Sequence, residues 1–134
     1  MFGAGAKHVT WKRSLWMRLA ALSNLVAVGV WLYVSVIQKD FFAAAQWRLA
    51  SQIQFMHGMA TFSSATFMNI GARSARHAPG FFLVGSALFC LAQYVEPAGI
   101  ISGIQAIEFV GMSSMLIGWF ILGISAREID LKIL

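Results

Sequence analysis

The chemically versatile side chains of this sequence are concentrated in one apolar stretch, Ile53–Ile70. Four polar residues recur there at spacings of 3, 4 and 3: Gln54, His57, Thr61 and Ser64. On a helix this spacing places them on one face. The imidazole could ligate a haem or transfer a proton, and the amide could bind a polar headgroup. Because such groups are costly inside a bilayer, the rest of the chain is expected to supply partners for them.

Catalytic arrangements have little support in the sequence. Ser63, Ser64 and His57 share one predicted helix, which cannot present a nucleophile and its base as a triad does. Glu108 lies in an apolar run without a second carboxylate for paired acid–base chemistry. The three histidines and the single cysteine, Cys90, are scattered and lack the spacing of a zinc site. We therefore expect a protein that is not an enzyme and that has no metal site.

The composition is that of a membrane protein. Of 134 residues, 59% are hydrophobic and only 11% are charged, whereas soluble domains carry about 25% charged residues. The net charge of +5 invites comparison with nucleic-acid-binding proteins. The cations lie between apolar runs and not on one soluble face, so we expect no nucleic-acid partner.

Hydropathy predicts an all-α fold: a single membrane domain, residues 1–134, in which four helices cross the bilayer. A span needs about 20 residues, because a helix rises about 1.5 Å per residue through a hydrocarbon core about 30 Å thick. The predicted spans are residues 19–37, 53–70, 80–95 and 104–124. Residues 1–18, with their tryptophans and cations, are expected in the lipid interface, residues 38–48 as a short amphipathic connection, and residues 125–134 as a surface tail.

The distribution of lysine and arginine predicts the orientation of these spans. Four spans place both termini and the loop between the second and third spans on one side. That side carries eight of the ten cations: Lys7, Lys12, Arg13, Arg18, Arg73, Arg76, Arg127 and Lys132. Lys39 and Arg48 lie on the other side. The positive-inside rule therefore predicts cytoplasmic termini in a bacterial inner membrane, or, as an alternative, matrix-facing termini in the mitochondrial inner membrane.

This topology places polar residues of several spans at one level near the outer surface. The candidate polar cluster is Gln54, His57, Gln93, Tyr94 and Glu108, with Tyr33 and Ser35 at the same level. The favoured interpretation is that these residues bond to one another, for example Glu108 with His57 or Gln93, each bond contributing about 0.6–2 kcal/mol. Deeper on the same helix, Thr61 and Ser64 are expected to bond to backbone carbonyls or to allow close packing.

A second interpretation makes the cluster a site for a quinone headgroup, a proton or a small polar solute, because intramembrane ionisable groups often mark such pathways. A haem is less favoured. His8 and His77 are predicted on the opposite side of the membrane from His57, so methionine would have to supply the second axial ligand. We expect no bound cofactor other than lipids.

Small residues at helical spacing mark the fourth predicted span: Gly111, Ser114 and Gly118. Small side chains let a second helix approach closely. We expect this stripe to pack inside the four-helix unit, with a contact to another protein as the second interpretation. Trp119 is expected to face lipid or a neighbouring helix.

Motifs in three spans resemble those of a known family. The second span carries Gln-x-x-His followed by small and aliphatic residues over Ile53–Ala60, the family's Phe-to-Tyr motif falls on Phe89–Tyr94, and its Gly-Trp pair falls on Gly118 and Trp119. On these motifs the chain resembles domain-of-unknown-function family 423, related to transmembrane protein 256. It would be a divergent member, since Val34 stands at the family's first-span histidine. The resemblance implies a four-span membrane fold and implies no activity.

These observations together predict a structural or accessory subunit of a larger membrane complex, for which a respiratory complex is one host. The predicted loops are too short for a soluble domain, and the aromatic, basic termini suit contacts with partners or lipid headgroups. The expected partners are membrane lipids and other membrane protein subunits. The alternative is a small membrane protein that binds a quinone or passes a polar solute or proton through the outer cluster.

Overall fold

The computed structural model of the chain describes residues 4–99 and 102–133, and side chains for residues 13–99 and 102–131. The described residues form helices joined by short connections, with no strand among them, so the predicted all-α fold is confirmed for this part of the chain. The interfacial roles expected of Lys7, Trp11, Lys12 and Lys132 concern side chains outside the described set.

Helix α1 (Ala4–Val36) is one continuous helix of 33 residues. The expected interfacial segment is therefore, from Ala4 onward, the first part of the same helix that contains the first predicted span. The reason is local: between Ala4 and Val36 there is no proline, and Gly5 and Gly29 are the only glycines, so nothing ends the helix at the predicted boundary.

Helix α2 (Phe41–Asn69) begins 12 residues before the second predicted span. The Asp40 carboxylate caps its first turn, accepting hydrogen bonds from the backbone N–H groups of Phe42 at 3.0 Å and Ala43 at 3.4 Å. Most of the expected connection 38–48 is thus part of α2. The chain leaves the helix through Gly71, whose φ of 115° is a conformation that favours glycine.

The second half of the chain follows the predicted bounds to within two residues. Helix α3 (Ala78–Val95) has Pro79 in its first turn, and helix α4 (Ile104–Ser125) begins after Gly103 at a φ of 82°. Short 3₁₀ turns, Arg73–His77 and Glu96–Ala98, flank α3. Most of the expected surface tail forms a last short helix, α5 (Arg127–Ile133).

Each of the four long helices packs against the next one along the chain, and contacts define two ends of the molecule. At the near end, Arg13 of α1 donates to the amide oxygen of Asn69 at the end of α2. At that end too, Glu128 of α5 accepts a hydrogen bond from the backbone N–H of Arg73 at 2.7 Å. At the far end, Gln46 donates to Glu96. Successive helices therefore run in opposite directions.

Three stretches of the described chain are helical, long and apolar enough to cross a membrane: Arg13–Val36, Arg73–Ala98 and Ile104–Leu131. Helix α2, at 29 residues, is also long enough, and its mean hydropathy is lowered by polar residues. Five of these polar residues are buried against neighbouring helices: Ser51, Gln54, His57, Thr61 and Ser64.

Helices α3 and α4 approach each other most closely at paired glycines. A Cβ atom at Gly111 would lie 2.7 Å from the carbonyl oxygen of Gly85 and 2.7 Å from the backbone nitrogen of Phe89. One helix turn away, Ser114 donates to the carbonyl oxygen of Phe81 at 2.9 Å. The small-residue stripe of α4 thus lies against α3 inside the molecule.

Candidate functional site

The residues of the predicted polar cluster take part in three separate contacts between helices. The first contact joins three helices. The hydroxyl of Tyr94 on α3 donates to Oε1 of Gln54 on α2 at 2.9 Å. The Gln54 amide nitrogen in turn donates to Ser23 on α1, to its carbonyl oxygen at 3.0 Å and its hydroxyl at 3.2 Å. Both ends of the Gln54 amide are therefore satisfied by neighbouring helices.

His57 forms a second contact, with α4. Its Nδ1 lies 2.8 Å from the carbonyl oxygen of Ile53, and its Nε2 accepts a hydrogen bond from the indole N–H of Trp119 at 3.2 Å. Because a carbonyl only accepts and an indole N–H only donates, the bonds assign a neutral imidazole with its proton on Nδ1. The ring centroid of Phe82 lies 5.8 Å from that of His57 and 5.1 Å from that of Trp119, so the three rings form an aromatic cluster in which Phe82 and His57 are buried and Trp119 is partly exposed.

The position of His57 along α2 differs from the one counted along the predicted span. Since α2 begins at Phe41, His57 is about 24 Å along the helix from its start. Its partner Trp119 is about 22 Å along α4, at the same depth. The sequence analysis counted this position from Ile53, the start of the second predicted span.

Gln93 and Glu108 form the third contact, in which the Gln93 amide of α3 donates to the Glu108 carboxylate near the start of α4. Of the two partners predicted for Glu108, Gln93 is therefore the one that the structure places beside it. Tyr33 and Ser35 take no part in these hydrogen bonds. The Tyr33 ring is 5.9 Å from that of Trp47, which is 6.0 Å from that of Tyr94, and the Ser35 hydroxyl donates to the carbonyl of Trp31.

Thr61 and Ser64 bond to backbone carbonyls of their own helix, as expected. The hydroxyls donate to the carbonyl oxygens of His57 and Ala60, each at 2.9 Å. Both side chains are fully buried, so no ligand can reach them without a rearrangement of the helices.

Sequence reasoning missed three residues that contribute to this region: Ser23, Asn24 and Trp119. Asn24 is buried against Gly58, and its Oδ1 atom has no hydrogen-bond partner in the structure. Its position as the most polar residue inside the first predicted span was the available signal. For Trp119 the signal was its spacing from Glu108: eleven residues, about three turns, put both side chains on one face of α4.

A crevice of about 310 Å³ lies between α2, α3 and α4 at His57. Of the predicted cluster, His57 is the one member that lines it, together with Trp119, Phe89 and two methionines, Met112 and Met115. The lining is mainly apolar, with the imidazole and indole as its polar groups.

Elsewhere the Cys90 thiol is buried and lies 3.1 Å from the carbonyl oxygen of Ala50. The described residues contain no group of three or more His, Cys, Asp or Glu side chains that could hold a metal ion.

The fold and these contacts define an all-helical protein with three membrane-length apolar helices, whose polar side chains join one helix to another. Comparison with models of protein families, with curated proteins and with solved structures finds no match for this chain.

The Tyr94–Gln54 bond should contribute measurably to stability. Tyr94→Phe removes only the hydroxyl and leaves a buried amide oxygen without its donor, so we expect a loss of about 1 kcal/mol in the free energy of unfolding. A double-mutant cycle with Gln54→Leu, measured by denaturant unfolding in detergent micelles, should give a coupling energy of about 0.6–1.7 kcal/mol. Tyr33→Phe is the matched control. Equal effects of the two tyrosine substitutions would show that the bond contributes nothing.

Proposed function

We propose that this chain is an integral membrane protein of four spans without catalytic activity, serving as a structural or accessory subunit of a larger membrane assembly. The observation that supports it best is the pairing of the polar cluster. These bonds join helices in two pairs, Gln54 with Tyr94 and Gln93 with Glu108. None of the four side chains lines the crevice at His57. Polar groups used in this way specify how helices fit together.

The proposal that α2 is the fourth span rests on connectivity and on its surface. This helix runs from the far end of α1 to the near end of α3, so if its neighbours cross the bilayer, α2 returns across it. Its polar stripe is buried, while the side chains of Phe55, Met56 and Met59 are exposed. The face that α2 presents outward is therefore apolar there, which suits contact with lipid.

The proposed orientation places the near end in the cytoplasm of a bacterium. Arginines are concentrated at that end: Arg13, Arg18, Arg73, Arg76 and Arg127. The far end has Lys39 and Arg48, accompanied by Asp40 and Glu96. This asymmetry agrees with the positive-inside rule for the bacterial inner membrane, and the same rule would place the near end in the matrix of a mitochondrion.

An accessory role is supported by the faces that the helices leave uncovered. Large apolar side chains of α1 and α4 are exposed, with Leu25 and Phe120 each 70% accessible. Lipid or the helices of other subunits would cover these faces in a membrane. The resemblance to family 423 suits this proposal, in which the chain is a divergent member.

Extraction in a mild detergent followed by native mass spectrometry tests the proposal. We expect the tagged full-length chain, expressed at its natural level, to be released with further membrane subunits in constant ratio. Harsher detergent should dissociate them. A chain that remains a stable monomer in every mild detergent would contradict the accessory role.

The second candidate function, binding of a quinone, is favoured by the crevice at His57. In this mainly apolar crevice, the carbonyl oxygen of a quinone could replace His57 Nε2 as the acceptor of the Trp119 indole N–H and so orient the ring. The same native spectra distinguish the candidates, because a small organic adduct on the isolated chain would support the quinone function, and its loss in Trp119→Phe would locate it.

A further inference from the structure

We propose that the cleft between α1 and α2 at the near end binds the phosphate headgroup of an acidic phospholipid, with one acyl chain lying along its apolar floor. The proposal rests on the membrane location argued above. It adds a specific lipid site, which nothing so far described requires.

The shape and position of the cleft suit a lipid. It has a volume of about 670 Å³ and opens between the first turns of the α1 span and the last turns of α2. Arg13 and Arg18 line it from α1, and Asn69 lines it from the end of α2. The first predicted span begins at Leu19, directly after Arg18, so the guanidinium groups lie where lipid phosphates are found.

The charge of the cleft selects an anion. None of the described residues that line it is acidic. Arg13 donates to the neutral amide oxygen of Asn69, a bond that fixes the guanidinium in the cleft without neutralising it. Arginine presents several donors in a planar fork that matches phosphate oxygens, and the Ser14 hydroxyl in the same wall can add another donor.

The absence of a carboxylate from this lining also distinguishes lipid classes. A choline or ethanolamine headgroup carries a cation that would lie beside two arginines with no lining carboxylate to receive it. A phosphatidylglycerol headgroup carries the phosphate charge alone. The cleft should therefore prefer the acidic lipid.

Apart from Arg18, the lining of the cleft beyond the turn of Arg13 is apolar. Met17 and Ala21 continue its α1 wall, and Ala65 forms the α2 wall. Arg13 and Ala21 are about 12 Å apart along the helix axis, a distance that accommodates the first part of an acyl chain. An alanine on each wall leaves space that larger side chains would fill. The cleft therefore has a polar mouth above an apolar groove, which matches the polar headgroup and apolar acyl chain of a lipid.

Native mass spectrometry of the purified full-length chain, titrated in micelles with phosphatidylglycerol, tests the site. We expect one saturable adduct, and no comparable adduct with phosphatidylcholine of the same acyl chains. Arg13→Gln combined with Arg18→Gln should weaken the binding of phosphatidylglycerol about thirtyfold, the effect of losing two basic groups near an anionic headgroup. Arg73→Gln combined with Arg76→Gln removes the same charge from the same end outside the cleft and should change binding less than about twofold.

A second variant leaves the charges in place. Ala21 lies on an exposed part of α1, so the chain should remain folded when it is replaced. The larger side chain of Ala21→Leu should narrow the apolar groove and weaken the binding of the lipid. Equal weakening by both arginine pairs, or equal binding of phosphatidylcholine, would overturn the proposal. Displacement of the lipid by inorganic phosphate at equal concentration would overturn it too and assign the site to free phosphate.

Failure of this site is distinguishable from failure of the accessory role. If the chain is released with other subunits but takes up no phosphatidylglycerol, only the proposed lipid site is contradicted. If the chain is released alone and binds the lipid, only the proposed accessory role is contradicted.

Discussion

Gly111→Leu should be among the most destabilising substitutions in this chain, lowering the free energy of unfolding by about 3 kcal/mol, at the upper end of typical overpacking costs. Even the first carbon of the new side chain would lie 2.7 Å from two backbone atoms of α3, the carbonyl oxygen of Gly85 and the nitrogen of Phe89. Backbone atoms cannot move aside as a flexible side chain can. The two helices would have to separate, and the Ser114 bond to Phe81 across the same interface would be strained.

Gly123→Leu is the matched control for this substitution. It adds the same side chain to the same helix, where a Cβ atom would meet no other atom within 4 Å. Thermal or denaturant unfolding in micelles should show a large loss for the Gly111 variant and little change for the control. Unfolding of both variants at the same temperature or denaturant concentration would mean that α3 and α4 do not approach each other as described.

Gly58→Ala should cost about 2 kcal/mol, and a second substitution should recover most of that cost. The added methyl group would collide with the side-chain amide of Asn24, which is buried between α1 and α2. Asn24→Ala removes both the collision and a buried oxygen that has no hydrogen-bond partner. The double variant should therefore be more stable than Gly58→Ala alone, a coupling of about 1–3 kcal/mol.

The same unfolding assay measures this cycle, with Gly29→Ala as control because a Cβ atom at Gly29 would meet nothing within 4 Å. Replacing glycine inside a helix stabilises by up to about 1 kcal/mol where space is free. A Gly58→Ala variant as stable as the Gly29→Ala variant would contradict the contact between Asn24 and Gly58.

Hydropathy and helix-breaking residues were sufficient to predict the second half of the fold. Pro79 begins α3, Gly103 precedes α4, and both helices lie within two residues of their predicted bounds. The first half was predicted less well because the apolar pattern ends before the helices do. Polar and charged residues such as Lys12 and Arg48 end a hydropathy window, but their helix propensity is high and the backbone continues through them.

The same difference between the apolar pattern and the extent of the helices explains which features of the candidate site could be predicted from the sequence. It correctly indicated that the polar residues have partners, and the Gln93–Glu108 contact follows from two helix ends meeting at one level. The position of His57 along α2 depended on where this helix begins, and in the structure it begins directly after its cap, Asp40. Trp119 as the partner of His57 depends on the rotation of α4 about its axis, which is set by the close contact of Gly85 with Gly111 and not by any periodic pattern in α4.

The unbroken length of α1 has a mechanical consequence. Thirty-three residues make a rod about 50 Å long, whereas the hydrocarbon layer is about 30 Å thick. The helix is therefore about 20 Å longer than the layer it would cross, and it extends into the aqueous phase. In a membrane that extension would act as a lever arm: a push on it from the aqueous side would be transmitted as tilt or rotation to Ser23, and from there through Gln54 to Tyr94.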